Sequence, residues 1–353
     1  MKVLISGICG FVGSHIARYL LEAHEGIDIL GFDSLTRAGS EINRPALKRL
    51  GISVFHGDVR VASDLETLPA ADWVIDAAAQ PSVLAGRDGK TSSRQLLEHN
   101  LLGTINLLEY CRASHAGLIL LSTSRVYSIP ALAELPRRVE SSAFELDEAQ
   151  PLPEGVGLEG VREEFSTDAP ISLYGATKLA SERLAQEYAA GLGVPAWINR
   201  CGVLAGAGQF GNAEQGIFSY WIHAHRARRP LKYLGFGGHG FQVRDALHPR
   251  DLAAMVDLQM QSRATARPYN VSGGRANSMS LAQLTAWCDE RFGPHRPAED
   301  GSDRPYDVPW LILDSSAATA ATGWKPAIGL PQILEEIAEH AIAHPDWLER
   351  SGA

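Results

Sequence analysis

Several features that mark the simpler classes of protein are missing from this chain. No apolar run approaches the ~18 residues that a membrane-spanning helix requires. The opening Met1-Lys-Val-Leu-Ile runs into a glycine turn and not into a hydrophobic leader of secretory type, which predicts a cytoplasmic protein with no membrane partner. The 4 cysteines, Cys9, Cys111, Cys201 and Cys288, have neither disulfide-framework nor metal-ligand spacing. That predicts free thiols in a reducing compartment and no metal. Positive charge is scarce: 32 Lys and Arg against 41 Asp and Glu leave a net charge of −9, which argues against a nucleic-acid surface. Internal repeats and low-complexity tracts are also lacking. What remains is an ordinary globular composition, 45% hydrophobic over 353 residues, enough for one large core or two joined ones.

Along the chain, apolar runs alternate with amphipathic stretches, the pattern of an α/β doubly wound parallel sheet. Strands are expected at Val3-Leu-Ile-Ser, Asp28-Ile-Leu-Gly-Phe, Ser53-Val-Phe-His, Trp73-Val-Ile, Leu118-Ile-Leu-Leu-Ser and Ala196-Trp-Ile-Asn-Arg. Helices are expected from Phe11 to Glu22, over residues 93 to 113 and over residues 173 to 190, with a last one from Leu330 to His344. The stretch from 128 to 170, rich in Pro, Glu and Ser, reads as an excursion outside the sheet. After Arg200 glycine rises, as in Gly235-Phe-Gly-Gly-His-Gly, which suggests a smaller mixed α/β lobe shaped around a ligand. The division expected is residues 1 to 200, with a return at about 243 to 272, for the large domain, and 201 to 242 with 273 to 353 for the lobe.

Gly7-x-x-Gly10-x-x-Gly13 directly follows the first strand and opens a helix, and Asp33 ends the next strand about 20 residues later. Glycines let a backbone approach a pyrophosphate, a helix N-terminus holds its charge, and a carboxylate takes ribose hydroxyls. This is the Rossmann arrangement for a dinucleotide. Asp33 repels the 2′-phosphate of NADP and so favours NAD, although Arg37 stands only four residues on. Asp58, in His-Gly-Asp after the third strand, reads equally as an acceptor for the adenine amine or as a strand-end turn residue.

Tyr174 and Lys178 stand four apart in Ser-Leu-Tyr-Gly-Ala-Thr-Lys. On a helix they share a face. The ammonium of Lys178 is then expected to favour the Tyr174 phenolate and give a base usable near neutrality. Thr123 follows the fifth strand at the carboxyl end of the sheet, where such folds bind ligands. Its hydroxyl suits a substrate oxygen or, equally, a turn.

With these residues in view, the chain resembles the extended short-chain dehydrogenase/reductases, and within them the nucleotide-sugar epimerases. Ile5-Ser-Gly-Ile-Cys-Gly-Phe-Val-Gly-Ser, Phe32-Asp-Ser-Leu-Thr-Arg, His56-Gly-Asp-Val-Arg, Gln242-Val-Arg-Asp and Asn277-Ser-Met-Ser-Leu are similar to the CDP-tyvelose (CDP-paratose) 2-epimerase branch. The resemblance implies Thr123, Tyr174 and Lys178 as a catalytic trio. Around the dinucleotide it implies Gly7, Gly10, Phe11, Val12, Gly13, Asp33, Ser34, Arg37, Asp58, Val59, Ala78, Gln80 and Asn100. It gives Arg244 and Arg304 to the diphosphate of a nucleotide-diphosphate sugar, a task suited to bidentate guanidinium groups. Ser124, Arg125, Gln209 and Gln215 belong with them on the substrate side, and a homodimer through the long helices before the fifth and sixth strands is implied as well.

Sugar dehydratases of this group carry an Asp-Glu pair after the threonine, and the decarboxylases a glutamate two residues after it, whereas this chain has Ser124 and Arg125. Neither elimination nor decarboxylation has its usual group. The expectation is a redox-neutral epimerisation through a transient keto-sugar, with NAD regenerated in each cycle and held tightly. A 4-epimerase, a reductase or dehydratase on the same scaffold, and a non-catalytic NAD(H)-binding relative are the alternatives. His223 and His225, two apart, are expected at a surface or interface, Trp310 and Trp324 inside the small lobe, and Cys9 as a small apolar filler.

Overall fold

Short runs such as Lys2-Val-Leu-Ile-Ser and Gly117-Leu-Ile-Leu-Leu-Ser-Thr are apolar at successive positions, because both faces of the sheet they form are covered by helices. In the computed structural model, which describes residues 1–87, 89, 92–212 and 214–352, seven strands form one parallel sheet. They are β1 (Lys2–Ser6), β2 (Asp28–Asp33), β3 (Ser53–His56), β4 (Trp73–Asp76), β5 (Gly117–Thr123), β6 (Ala196–Cys201) and β7 (Pro268–Val271), in the order β7-β6-β5-β4-β1-β2-β3. All six pairings are parallel. The six strands expected from the sequence are present, and β7 is an addition.

On one face Val3, Ile5 and Ile75 pack with Ile16 and Leu20 of α1 (Phe11–Ala23). On the other, Leu4, Val74, Leu118 and Leu120 pack with Leu107 and Leu108 of α2 (Gly103–Ser114) and Ala185 of α3 (Ser172–Leu192). The stretch expected as one helix over 93 to 113 runs from Ser93 to Ser114 and contains a π-turn at Glu98–Leu102.

Residues 128 to 170 stay outside the large sheet. They form two antiparallel ladders, Arg137–Glu140 with Ala143–Leu146 and Val156–Gly157 with Gly160–Val161. Their apolar residues pack on Trp310, Leu311 and Val243. Glu163 from this stretch accepts from the Asn270 N–H at 2.6 Å, which satisfies a donor on the open edge of β7.

The smaller lobe is built on Val243–Leu247, paired with Val203–Leu204, Ser278–Ser280 and Trp310–Leu311. Its core joins Trp221 and Ile222 of α4 (Ile217–Arg226) with Leu284 and with Ile337. The chain also supplies α5 (Pro249–Met260) to the large sheet and α6 (Leu330–Ala343) to the lobe. Among the described residues no helix is long and apolar enough to cross a membrane. Trp324 corrects one expectation: it packs with Leu252 and Val256 of α5 in the large core, its indole donating to the Asp251 carbonyl at 2.8 Å.

The histidines correct another. His223 and His225 are both buried, because the strongly amphipathic α4 turns both inward against different neighbours. His225 Nε2 pairs with Asp289 at 2.8 Å, and His223 Nε2 lies 3.3 Å from Nδ1 of His340 on α6. Burial pushes His223 down to about 3 and His340 to about 4, and each also feels neighbouring positive charge. Both are therefore neutral in the folded protein at pH 7, while the unfolded chain binds their protons below about 6.5. Their contribution to stability is complete above that pH and is lost as the pH falls from about 6.5 towards 3. The melting temperature is expected to drop steadily from pH 7.5 to 4.5, and His340→Gln, in thermal scans across that range, to flatten the slope.

Candidate functional site

A cavity of about 710 Å³ runs along the carboxyl ends of β1, β2, β4, β5 and β6 and on into the smaller lobe. Gly7, Gly10, Phe11, Val12 and Gly13 line one end of it. Gly7 has φ +66°, and a Cβ on it would come within 2.9 Å of Ala78 Cα, while one on Gly13 would collide with the Gly7 carbonyl. The turn is therefore a bare cradle that only glycine permits. No side chain caps α1 and no acid stands in its first turn, so the leading N–H groups face the cavity with their partial positive charge. Asp33 Oδ2 accepts from the Cys9 N–H and Oδ1 from the Leu35 N–H, both at 2.8 Å, leaving each oxygen a lone pair for a hydroxyl. Burial holds this carboxyl above the usual range, partly offset by those two N–H bonds. Cradle, helix end and carboxylate fit a dinucleotide.

The remaining residues expected here divide into those that face the cavity and those that act behind it. Ser34, Arg37, Val59, Ala78 and Gln80 line it. Arg37 is turned to the smaller lobe, donating to Gln215 Oε1 at 2.7 Å and to the Phe210 carbonyl. That commitment turns part of its guanidinium away from the ribose that Asp33 would hold. Asp58 also lines the cavity, with Arg60 donating to both its carboxylate oxygens at 2.6 to 3.0 Å and the Asp58 N–H donating to Asp64 at 3.0 Å. Asn100 is outside the lining. Its Oδ1 accepts from the Gln80 N–H at 2.8 Å and its Nδ2 donates to the Gln80 carbonyl and to Thr177, so it ties the loop after β4 to α3.

Tyr174, Lys178 and Thr123 come together at the middle of the cavity. A Cβ on Gly175 would collide with the Arg125 carbonyl, so the glycine after Tyr174 is what lets α3 lie against the end of β5. The Tyr174 phenol is pushed up to about 12, chiefly by burial, with the Thr123 hydroxyl bonded to it and the Arg125 guanidinium pulling the other way. In the free protein burial thus outweighs the positive charge nearby, and the phenol stays above the near-neutral range expected for it; Lys178 lies near Cys201, whose thiol burial pushes up to about 12.

Ser124 and Arg125 continue the lining toward the smaller lobe. Arg125 donates to the Tyr306 carbonyl at 3.2 Å, and burial, with Arg244 and Arg304 nearby, lowers it to about 10. Arg244 pairs with Asp307 at 2.8 Å and reaches the Val308 carbonyl at the same distance. Three guanidiniums thus converge with one carboxylate between them, an arrangement suited to a diphosphate. Asp307 was not foreseen from sequence; its spacing three residues past Arg304 carries no recognisable signal. Gln209 and Gln215 line the cavity, with Gln209 Nε2 spent on the Leu204 carbonyl at 2.7 Å. Among the described residues no group of three or more His, Cys, Asp or Glu is placed to hold a metal.

Comparison with known proteins agrees with this geometry. Residues 3–272 match the model of the NAD dependent epimerase/dehydratase family. A CDP-paratose 2-epimerase of Salmonella typhi is 29% identical over 345 residues, 93% of this chain and 95% of that protein. A UDP-glucose 4-epimerase of Corynebacterium glutamicum is 26% identical over 337 residues, 92% and 91% of the two chains. Among solved structures, the UDP-glucose 4-epimerase of Thermotoga maritima with UDP-glucose superposes with a TM-score of 0.78 at 24% identity, over 97% of this chain and 99% of that one.

Proposed function

The chain belongs to the NAD-dependent epimerase/dehydratase family, and from that premise we propose that it is an epimerase of a CDP-linked sugar, inverting one carbinol carbon in the manner of the 2-epimerases. The observation that carries this reading is the joining of Thr123, Tyr174 and Lys178 to a three-arginine end in one continuous cavity, with Ser124 and Arg125 where elimination would need acids. Residues 1 to 200, with the return over α5 and β7, hold NAD, and the smaller lobe holds the nucleotide sugar with help from Ser124 and Arg125; the return expected from residue 243 thus begins only at Pro249, because Val243–Leu247 is the strand on which the smaller lobe is built. NAD, when bound, supplies a reversible hydride acceptor.

The protein's own groups do the rest. Tyr174 takes the proton of the substrate hydroxyl and later returns it, a general acid/base role. Thr123, bonded to that phenol, holds the oxygen in line and supports the developing negative charge. Lys178 keeps the phenol and the cofactor-side hydroxyls oriented from the next turn of α3. Arg244 and Arg304 fix the diphosphate, so the sugar pivots between its two faces while its anchor stays still. A homodimer through α2 and α3 belongs to the same reading, and size-exclusion chromatography tests it.

The 4-epimerase relative supports a second reading, inversion at another carbon of a UDP-sugar. One experiment separates them. Nucleotide released from acid-precipitated protein is identified by mass spectrometry, and melting is then followed with CDP-, UDP-, GDP- and dTDP-sugars. NAD in the released material with stabilisation by CDP-sugars alone is expected; stabilisation by UDP-sugars alone would overturn the CDP assignment.

A further inference from the structure

The turn between Val203–Leu204 and α4 leaves the smaller lobe and touches the loops after β1, β2 and β4 at the dinucleotide end of the cavity. Phe210 packs on Phe11, in the glycine turn after β1. A Cβ on Gly39, in the loop after β2, would come within 2.8 Å of the Phe210 ring. From that same loop Arg37 donates Nη1 to Gln215 at 2.7 Å and Nη2 to the Phe210 carbonyl. From the loop after β4, the Ser82 hydroxyl donates to Glu214 Oε2 at 3.3 Å.

The turn is also stiff and firmly rooted. Asn212 and Gln215 exchange backbone bonds at 2.8 and 3.1 Å, and Asn212 Oδ1 accepts from the N–H groups of Glu214 and Gln215 at 2.9 Å. At its base the Trp347 indole donates to the Gln209 carbonyl at 2.8 Å, and the Phe210 and Trp347 rings stack with centroids 5.4 Å apart. The turn is tied to the large domain by polar bonds through Arg37 and Ser82 and by the contact of Phe210 with Phe11, and its root is aromatic.

We propose that this turn is a latch on the cofactor: the Arg37–Gln215 tie, with Ser82–Glu214 beside it, closes the groove over NAD and keeps it bound from one turnover to the next. The inference rests on the epimerase reading, because a reaction that returns its hydride to the substrate never needs to exchange NAD. An enzyme that releases a spent nicotinamide in every cycle would be slowed by the same closure. Arg37 and Gln215 act by positioning the turn and not by touching the reacting atoms.

The test is the rate at which radiolabelled NAD leaves the purified protein when chased with unlabelled NAD. Arg37→Met and Gln215→Leu each remove a charge-assisted bond and are expected to speed release roughly 10- to 100-fold. Gln215→Glu keeps an acceptor for Arg37 and is expected to release as slowly as the wild type, which separates loss of the tie from loss of folding. Ser82→Ala is expected to have a smaller effect in the same direction. Wild-type protein that holds NAD tightly together with Arg37→Met and Gln215→Leu variants that hold it equally well would overturn the latch alone. Wild-type protein that loses NAD within the time of a desalting column would overturn the latch and the tight-cofactor part of the epimerase reading together.

Discussion

Tyr174→Phe is expected to lower turnover by roughly 10²- to 10⁴-fold while leaving bound NAD in place. The substitution deletes one oxygen from a ring that is 8% exposed, so it opens no cavity of consequence and leaves α3 packed. What it removes is the group bonded to Thr123 and standing under the field of Arg125. Because burial holds the phenol near 12, the protonated form dominates at neutrality in the free protein. Progress curves with the nucleotide sugar identified by thermal shift, together with the nucleotide content of the variant, measure the two effects separately. Turnover equal to the wild type would remove Tyr174 from the chemistry and favour a binding protein on an enzyme fold.

The second large effect is on stability. Glu182→Gln is expected to destabilise the protein by about 3–5 kcal/mol, the usual result of stripping one partner from a buried ion pair. Glu182 lies on α3 two turns past Tyr174, 2% exposed, and accepts from Arg200 Nε and Nη2 at 2.8 to 3.2 Å and from Ser122 Oγ at 2.5 Å. Arg200 in turn lies over the Tyr127 ring, 5.2 Å from its centroid, and donates to the Glu163 carbonyl at 3.2 Å. The network clamps α3 to β5 and β6 beside the end of β5 that presents Thr123. In Glu182→Gln the guanidinium keeps its charge and loses its counter-charge, with only a neutral acceptor left. Urea unfolding should show the loss. Glu182→Leu with Arg200→Met should recover part of it, since a desolvated pair and an apolar pair of similar volume are close in stability. A single substitution with no shift in midpoint would mean that water already reaches the pair.

What could be read from the sequence followed from periodicity. The six expected strands and the Tyr174 helix are apolar patterns long enough to identify, and the glycine turn with Asp33 carries its own chemistry. β7 escaped because Pro268-Tyr-Asn-Val begins with proline and is interrupted by the polar Asn270. The paired roles escaped for a different reason. Arg37 with Gln215, Arg244 with Asp307 and Arg200 with Glu182 are separated by 178, 63 and 18 residues, and a polar residue's pattern gives no hint of a partner so far along the chain. His223 and His225 were expected at a surface or interface because residues two apart on a helix do not share a face, whereas here both are buried, one beside His340 and the other paired with Asp289. The Tyr174–Lys178 spacing was legible as a shared helix face, whereas the rise of the phenol was not, since i and i+4 give no measure of how deeply the ring is buried.

The π-turn at Glu98–Leu102 carries a consequence for how this helix can change over time. It lets the Asn100 carbonyl accept from Thr104 at 2.9 Å while the side chain reaches Gln80 and Thr177. A π-turn is one residue more than the α pitch needs. Deleting one residue within it would restore the ordinary ladder and leave the N-terminal side in phase, because five residues at the wider π pitch turn the chain about as far as four at the α pitch. Leu96, now wholly buried, would keep its place. In this family, a single-residue insertion or deletion at that point should therefore be counted as a change of length that spares the phase, and two chains that differ there by one residue need not present Asn100 to the same neighbours.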